Sequence, residues 1–266
     1  MTNLLDLTLQ KLGGRKALIP FITAGFPKPD MTVDLLHSLV EQGADVIELG
    51  MPFSDPMADG PVIQKASEQA IQQGTNLKQT LSMVAEFRQS NQTTPIVLMG
   101  YLNPVESMGY AAFVEQAAQS GVNGVLLVDS PPEESTELQE QLNAHQLRQI
   151  FLVAPTTSER RKKLICEMAQ GFIYYVALKG VTGAADLDSE TVNSAIKALK
   201  NDTKLPVAVG FGVKDAQSAV AVAAQADAVV IGSALIQSLA ECETIELGQS
   251  KIADFIQPIR SALDSL

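Results

Sequence analysis

The predicted fold class is α/β, with eight parallel strands and their helices closed into one barrel. Three observations predict it. Eight short apolar runs recur along the chain, most of them rich in β-branched residues and nearly continuous in apolarity. Strands of a parallel sheet read this way when helices cover one face and packed side chains the other. Helical patterns separate the runs, and no long linker or low-complexity segment interrupts the alternation. No Gly-rich dinucleotide fingerprint follows the first run, which argues against an open doubly wound sheet. Together these give a single (β/α)8 TIM barrel over residues 1–266.

The elements follow in order. Extra helical material over 3–12 precedes the first run, 17–22 (ALIPFI). In MTVDLLHSLVEQG, Leu35, Leu36, Leu39 and Val40 share one helical face, and Gly43 is a natural stop. The second run, 44–50 (ADVIELG), leads through a loop into a second extra helix over 61–72, with Pro61 at its first position. NLKQTLSMVAEFRQS sets Leu77, Leu81, Val84 and Phe87 at helical spacing. The third and fourth runs are 95–101 (PIVLMGY) and 124–129 (GVLLVD). SPPEESTELQEQLNAH opens with prolines and acids, which suit a helix N-terminus. The last four runs are 149–154 (QIFLVA), 172–178 (FIYYVAL), 206–212 (PVAVGFG) and 228–235 (AVVIGSAL). KDAQSAVAVAAQ and the closing IADFIQPIRSALDSL are further helices, the latter expected to kink or break at Pro258.

Composition excludes several function classes. The 266 residues carry 19 Lys+Arg against 30 Asp+Glu, a net charge of −11. A nucleic-acid or anionic-membrane binder would be basic. Any phosphate must therefore be held locally, by backbone N–H groups. Trp is absent, which argues against an aromatic platform for single strands. Cys166 and Cys242 form neither a disulfide framework nor a metal spacing, and read as reduced thiols in a cytoplasm. No signal peptide or membrane span is seen. No metal is expected, because His37 sits in a helix and His145 near a helix end, each on the surface or in packing.

In such a barrel the chemistry sits at the carboxyl ends of the strands. Glu48 is a carboxylate inside an apolar strand, where burial without a partner raises its pKa. The following segment, residues 50–61 (GMPFSDPMADGP), is too rich in Pro and Gly to continue a strand, and forms a stiff loop over the barrel mouth. It brings Asp55 and Asp59, so two or three carboxylates stand over one cavity, and unlike environments can give them unlike roles. Gly-bearing turns at 180–184, 210–212 and 232–234 follow or close the last three strands, where barrels commonly build a phosphate site. Phe21, Met99, Tyr101, Leu126, Val128, Leu152 and Tyr174 are candidates for an apolar slot. Tyr174 could also hydrogen-bond Glu48. Asp129 reads as a loop cap.

The run IELGMPFSDPMADG closely resembles the signature of the tryptophan synthase alpha subunit, and the resemblance extends strand by strand over essentially the whole chain. It implies retro-aldol cleavage of indole-3-glycerol phosphate to indole and glyceraldehyde 3-phosphate. It implies that Glu48 and Asp59 are catalytic, Glu48 as proton shuttle and Asp59 at the indole N–H. It matches Gly183, Gly212, Gly232 and Ser233 to phosphate-binding positions, and Phe21, Tyr101 and Tyr174 to the substrate pocket. Met99 stands where many family members carry Leu. Thr182 is matched to a residue that orders the closed loop over the substrate. One departure is Ala177-Leu178-Lys179, where many members have Ser near the start of that stretch. The resemblance further implies an α2β2 assembly with a beta subunit that alone carries pyridoxal phosphate. The loop at 52–55 and the segment 101–104 would face that partner.

Two other readings compete. One is another phosphate-binding barrel, an isomerase or epimerase of sugar phosphates. The other is a catalytically weak subunit whose main role is to activate its partner.

Overall fold

The computed structural model describes residues 3–176, 189–210 and 212–266. Eight strands, β1 (Ala17–Thr23), β2 (Ile47–Gly50), β3 (Ile96–Gly100), β4 (Gly124–Leu127), β5 (Arg148–Val153), β6 (Ile173–Val176), β7 (Val207–Gly210) and β8 (Ala228–Ile231), pair in sequence order. All pairs are parallel, and β8 returns to β1 to close the barrel. The helices are α1 (Leu4–Lys11), α2 (Thr32–Glu41), α3 (Pro61–Gln72), α4 (Leu77–Phe87), α5 (Leu102–Met108) and α6 (Tyr110–Ser120). They continue with α7 (Thr136–Ala144), α8 (Glu159–Met168), α9 (Ser189–Asp202), α10 (Ala216–Ala223), α11 (Ser233–Leu239) and α12 (Ile245–Leu263).

Strand alternation divides the apolar residues into two cores. Ala17, Ile19, Val46, Val97, Ile150 and Phe172 point inward and fill the barrel. Leu5 of α1 joins them, wholly buried at the end opposite the strand carboxyl termini. Asn3 fixes this plug. Its side-chain oxygen caps α1 by accepting from Leu5 N at 2.8 Å, and its amide donates to Asn123 O and Gln146 O. Leu18, Ile22, Leu36, Leu49, Val84 and Ile256 belong to the outer core between strands and helices. Tyr174 lies in the inner set and Tyr175 in the outer, as adjacent strand residues must.

Several boundaries differ from expectation, each for a physical reason. The run 228–235 is not one strand. β8 ends at Ile231, and Gly232 (φ −123°, ψ −86°) turns the chain into α11, whose buried face takes Leu235 and Ile236. Pro132 opens a short 3₁₀ turn, and α7 starts four residues later at Thr136. Pro258 does not break the last helix, since α12 runs unbroken through it. It stands on the solvent side, while Ile252, Ile256, Ile259 and Leu263 bury the other face. The helices α5, α6, α8, α9 and α11 were not anticipated. Both extra helices occur, α1 and α3, the latter with Pro61 at its start.

A buried ion pair ties the two ends of the chain to the barrel. Arg260 of α12 donates to Asp45 at 3.1 Å, and Asp45 also accepts from Leu18 N at 2.9 Å and pairs with Arg15. Burial raises the Asp45 pKa, and the backbone donor and the two arginines offset only part of that rise.

Candidate active site

Glu48 sits in β2 between Ile47 and Leu49, paired across to Phe21 of β1 and Val97 of β3. Both carboxyl oxygens are buried and have no hydrogen-bond partner among the described residues. Burial alone raises its pKa from 4.5 to about 8, so the group is mainly protonated at neutral pH. The sequence reading anticipated a hydrogen bond from Tyr174, and among the described residues there is none. Tyr174 couples to Glu48 only through charge, which together with its own larger burial effect raises the phenol pKa.

Glu48 faces a cavity of about 390 Å³ at the carboxyl ends of the strands. Its walls include Phe21, Met99 and Tyr174, and its far rim is made by Gly212, Gly232 and Ser233. Gly210 belongs to the same wall because nothing larger fits, since a Cβ there would lie 2.3 Å from the Tyr174 hydroxyl. Gly212 has φ +48°, a left-handed backbone that glycine adopts without strain. Ser233 begins α11, so its backbone N–H is one of the donors left free at a helix start.

Asp59 lines a second, much smaller cavity of about 20 Å³, bounded also by Thr23, Ser67, Tyr101 and Val128. The two cavities adjoin, because Phe21, Ile63 and Met99 are walls of both. The loop carrying Asp59 is stitched down on three sides. Gln64 of α3 donates to Asp59 O at 2.7 Å, Phe53 N donates to Ser67 Oγ at 2.9 Å, and Ala58 N donates to the Tyr101 hydroxyl at 3.0 Å. Burial raises the Asp59 pKa, and the Tyr101 hydroxyl beside it offsets part of the rise. The Tyr101 hydroxyl is itself pushed up to about 12, chiefly by burial.

Of the candidate slot residues, Phe21, Met99, Tyr101, Val128 and Tyr174 line one cavity or both, whereas Leu126 and Leu152 line neither. Asp55 is exposed, bonded to Ser54 at 2.5 Å, and lines neither cavity, and Glu48 and Asp59 line two adjoining cavities, so the expected two or three carboxylates over one cavity become one carboxyl on each of two neighbouring spaces. Asp129 is a cap, accepting from Leu102 N at 2.7 Å where α5 begins. Thr182, Gly183 and the departure at 177–179 lie outside the described residues. Ile63, Gln64 and Ser67 were missed by sequence reasoning. All three lie on α3, at 63, 64 and 67, so the helical spacing that brings them to the loop was legible once α3 was placed. Cys166 and Cys242 are free. Among the described residues, no group of three His, Cys, Asp or Glu side chains is placed to hold a metal ion, and no helix is long and apolar enough to cross a membrane.

These features define a (β/α)8-barrel protein with a small-molecule-sized cavity at the strand carboxyl ends, where barrel enzymes place their chemistry. A family model described as tryptophan synthase alpha chain matches residues 7–263. The tryptophan synthase alpha chain of Chromobacterium violaceum is 55% identical over 253 residues, covering 95% of this chain and 96% of its own. The crystal structure of the alpha subunit from Legionella pneumophila superposes with a TM-score of 0.93 at 42% identity, over 100% of both chains. A structure of the tryptophan synthase α2β2 complex from Pyrococcus furiosus gives 0.83 at 37% identity, over 91% of this chain and 97% of that one. The chain belongs to the tryptophan synthase alpha chain family. Membership sets aside the sugar-phosphate isomerase or epimerase reading.

Proposed function

We propose that the chain cleaves indole-3-glycerol phosphate to indole and glyceraldehyde 3-phosphate, with Glu48 as proton shuttle and Asp59 as the indole N–H partner. The observation that carries this reading is Glu48 itself, a wholly buried carboxyl with no hydrogen-bond partner among the described residues, on the wall of a ligand-sized cavity. With a pKa of about 8 it begins as an acid and can give its proton to indole C3. That protonation turns the ring into a leaving group with positive charge spread onto N1. The Asp59 carboxylate accepts the increasingly acidic N–H and stabilises that charge. Glu48, now ionised, takes the proton of the side-chain hydroxyl next to the scissile bond. The C–C electron pair returns to the ring as the aldehyde forms, and Glu48 ends protonated again.

The apolar wall of Phe21, Met99 and Tyr174, with Tyr101 beside Asp59, suits the flat indole. Gly212, Gly232 and Ser233 suit the phosphate, because glycine lets backbone N–H groups approach the oxygens and the helix start adds positive potential. Gly183 and Thr182 complete the phosphate site and the closing loop in this reading. The site thereby binds an anion within a chain of net charge −11 without a basic patch.

Indole then passes to a beta subunit in an α2β2 heterotetramer, and pyridoxal phosphate belongs to that partner, with no cofactor in this chain. Pro52, Phe53 and Ser54 share one surface groove with Pro104 and Met108, an apolar face that supports docking at the loop and segment expected from sequence. The two free thiols fit a cytoplasmic setting.

The test incubates the purified chain with indole-3-glycerol phosphate, alone and with a beta subunit, and measures released indole. Indole in both, more with the partner, is expected. Indole in neither refutes the lyase reading, and leaves the partner-activating subunit. Glu48→Gln should abolish turnover while substrate still binds, and undiminished turnover would refute the shuttle.

A further inference from the structure

Thr23 ends β1 two residues after Phe21, so both side chains face the barrel interior and Thr23 stands nearer the rim. Its hydroxyl is buried and has no hydrogen-bond partner among the described residues. Buried polar groups are almost always paired, so an orphan of this kind points to a ligand too small to be a side chain. The hydroxyl borders the small cavity that Asp59 lines, whose volume is about 20 Å³. One water needs about 10–15 Å³ measured in this way, so the space takes one water and no organic group.

The polar groups around that space are few. Ser67 Oγ is engaged in both directions by the Phe53 backbone. The carbonyls of Gly50, Met99 and Gly100 accept from the amides of Ala24, Met51 and Val128. The Tyr101 hydroxyl already accepts from Ala58 N and directs its proton to the Asp59 carboxylate. Thr23 and the Asp59 carboxylate, with about four lone-pair sites, are left with capacity to spare. Asp59 and Tyr101 are the only ionisable side chains lining this cavity among the described residues, and Glu48 lies across the shared wall.

We propose that this cavity binds one ordered water that joins the Thr23 hydroxyl to the Asp59 carboxylate, making Thr23 a positioning residue for Asp59. The inference rests on the reading of Asp59 as the indole N–H partner. The water accepts from or donates to Thr23 and donates to the carboxylate, fixing its rotamer and favouring its ionised form. Thr23 touches neither the reacting bond nor the phosphate rim, so its effect falls on turnover and not on binding.

The test compares full-length wild type, Thr23→Val, Thr23→Ser and Asp59→Asn, each with a beta subunit, for indole release from indole-3-glycerol phosphate across about pH 5 to 9. Loss of one charge-assisted hydrogen bond should lower kcat of Thr23→Val on the order of tenfold, with KM within about twofold. The acidic limb of its pH profile should move upward, and Thr23→Ser should restore both. A purely structural role would reduce the yield of folded protein without moving the limb. If Thr23→Val keeps the wild-type kcat and limb while Asp59→Asn abolishes turnover, the bridge is overturned and the role of Asp59 stands. If Asp59→Asn itself turns over normally, the role of Asp59 fails. A high-resolution crystal map then decides the bridge alone, and also if Thr23→Val does not fold. Density for a water between Thr23 and Asp59 in wild type supports it, and its absence overturns it.

Discussion

Replacing Glu48 by Gln keeps the shape of the side chain and removes its ability to ionise. The consequence for stability follows from burial. Folding raises the Glu48 pKa from 4.5 to about 8, which at 1.36 kcal/mol per pH unit amounts to about 5 kcal/mol, a large share of the ~5–15 kcal/mol that holds a typical protein folded. Well below pH 4.5 the carboxyl is protonated in both states, and its burial adds no dependence on pH. As pH rises above 4.5, the unfolded chain ionises while the folded chain does not, so stability falls steadily. The fall ends near pH 8, where the folded group ionises as well. The Gln variant has no such slope. Urea unfolding of both proteins from about pH 5 to 9 measures the difference directly. The stability of the variant relative to wild type should grow by several kcal/mol between about pH 5 and pH 8.5. A difference between the two that stays constant with pH would refute the claim that this carboxyl is buried without a stabilising partner.

Ser233→Asp puts a negative charge at the start of α11 on the cavity rim, and should raise KM for indole-3-glycerol phosphate steeply by like-charge repulsion, an unchanged KM arguing against the phosphate placement. Gly210→Ala sets a Cβ 2.3 Å from the Tyr174 hydroxyl and 2.8 Å from its ring, so the ring must move into the cavity; KM should rise severalfold with the circular dichroism spectrum unchanged, and normal kinetics would show that the ring has another place to go. Arg260→Met leaves buried Asp45 with Arg15 alone, and should destabilise the chain by roughly 3 kcal/mol in urea melts, since breaking a buried pair strands a charge.

The barrel was legible because its strands are buried on both sides and so spell unbroken apolar runs. The ends of those runs were not. Residues 228–235 read as one strand because Ala234, on the cavity wall, and Leu235, a helical residue facing the core, are as apolar as Val229 and Val230. The helix α8 went unseen because it buries little besides Ile165 and is otherwise charged, so it has hardly an apolar stripe to find. Pro258 misled because the rule it obeys concerns a lost backbone bond, and on the solvent side water replaces that bond. At the site, Glu48 stood out as a charge among apolar neighbours. Thr23 did not, since threonine is ordinary in strands and only the cavity beside it gives its hydroxyl meaning. Asp55 and Asp59 looked alike in the loop, and their difference comes from Gln64 and Tyr101, which fasten the end that carries Asp59, and Ser67, which fastens Phe53 at the start, leaving Asp55 between them in solvent.

The plug formed by Leu5 has a further consequence. It stops the floor of the barrel, with Gly171 so close beneath it that a Cβ there would come within 2.7 Å of the Leu5 side chain. Among the described residues the cavity therefore opens at the strand carboxyl ends and not through the floor. If the proposed lyase reaction runs in this cavity, a small greasy product would leave by the rim through which its precursor came in, and whatever sits over that rim would decide whether it is delivered or spilled.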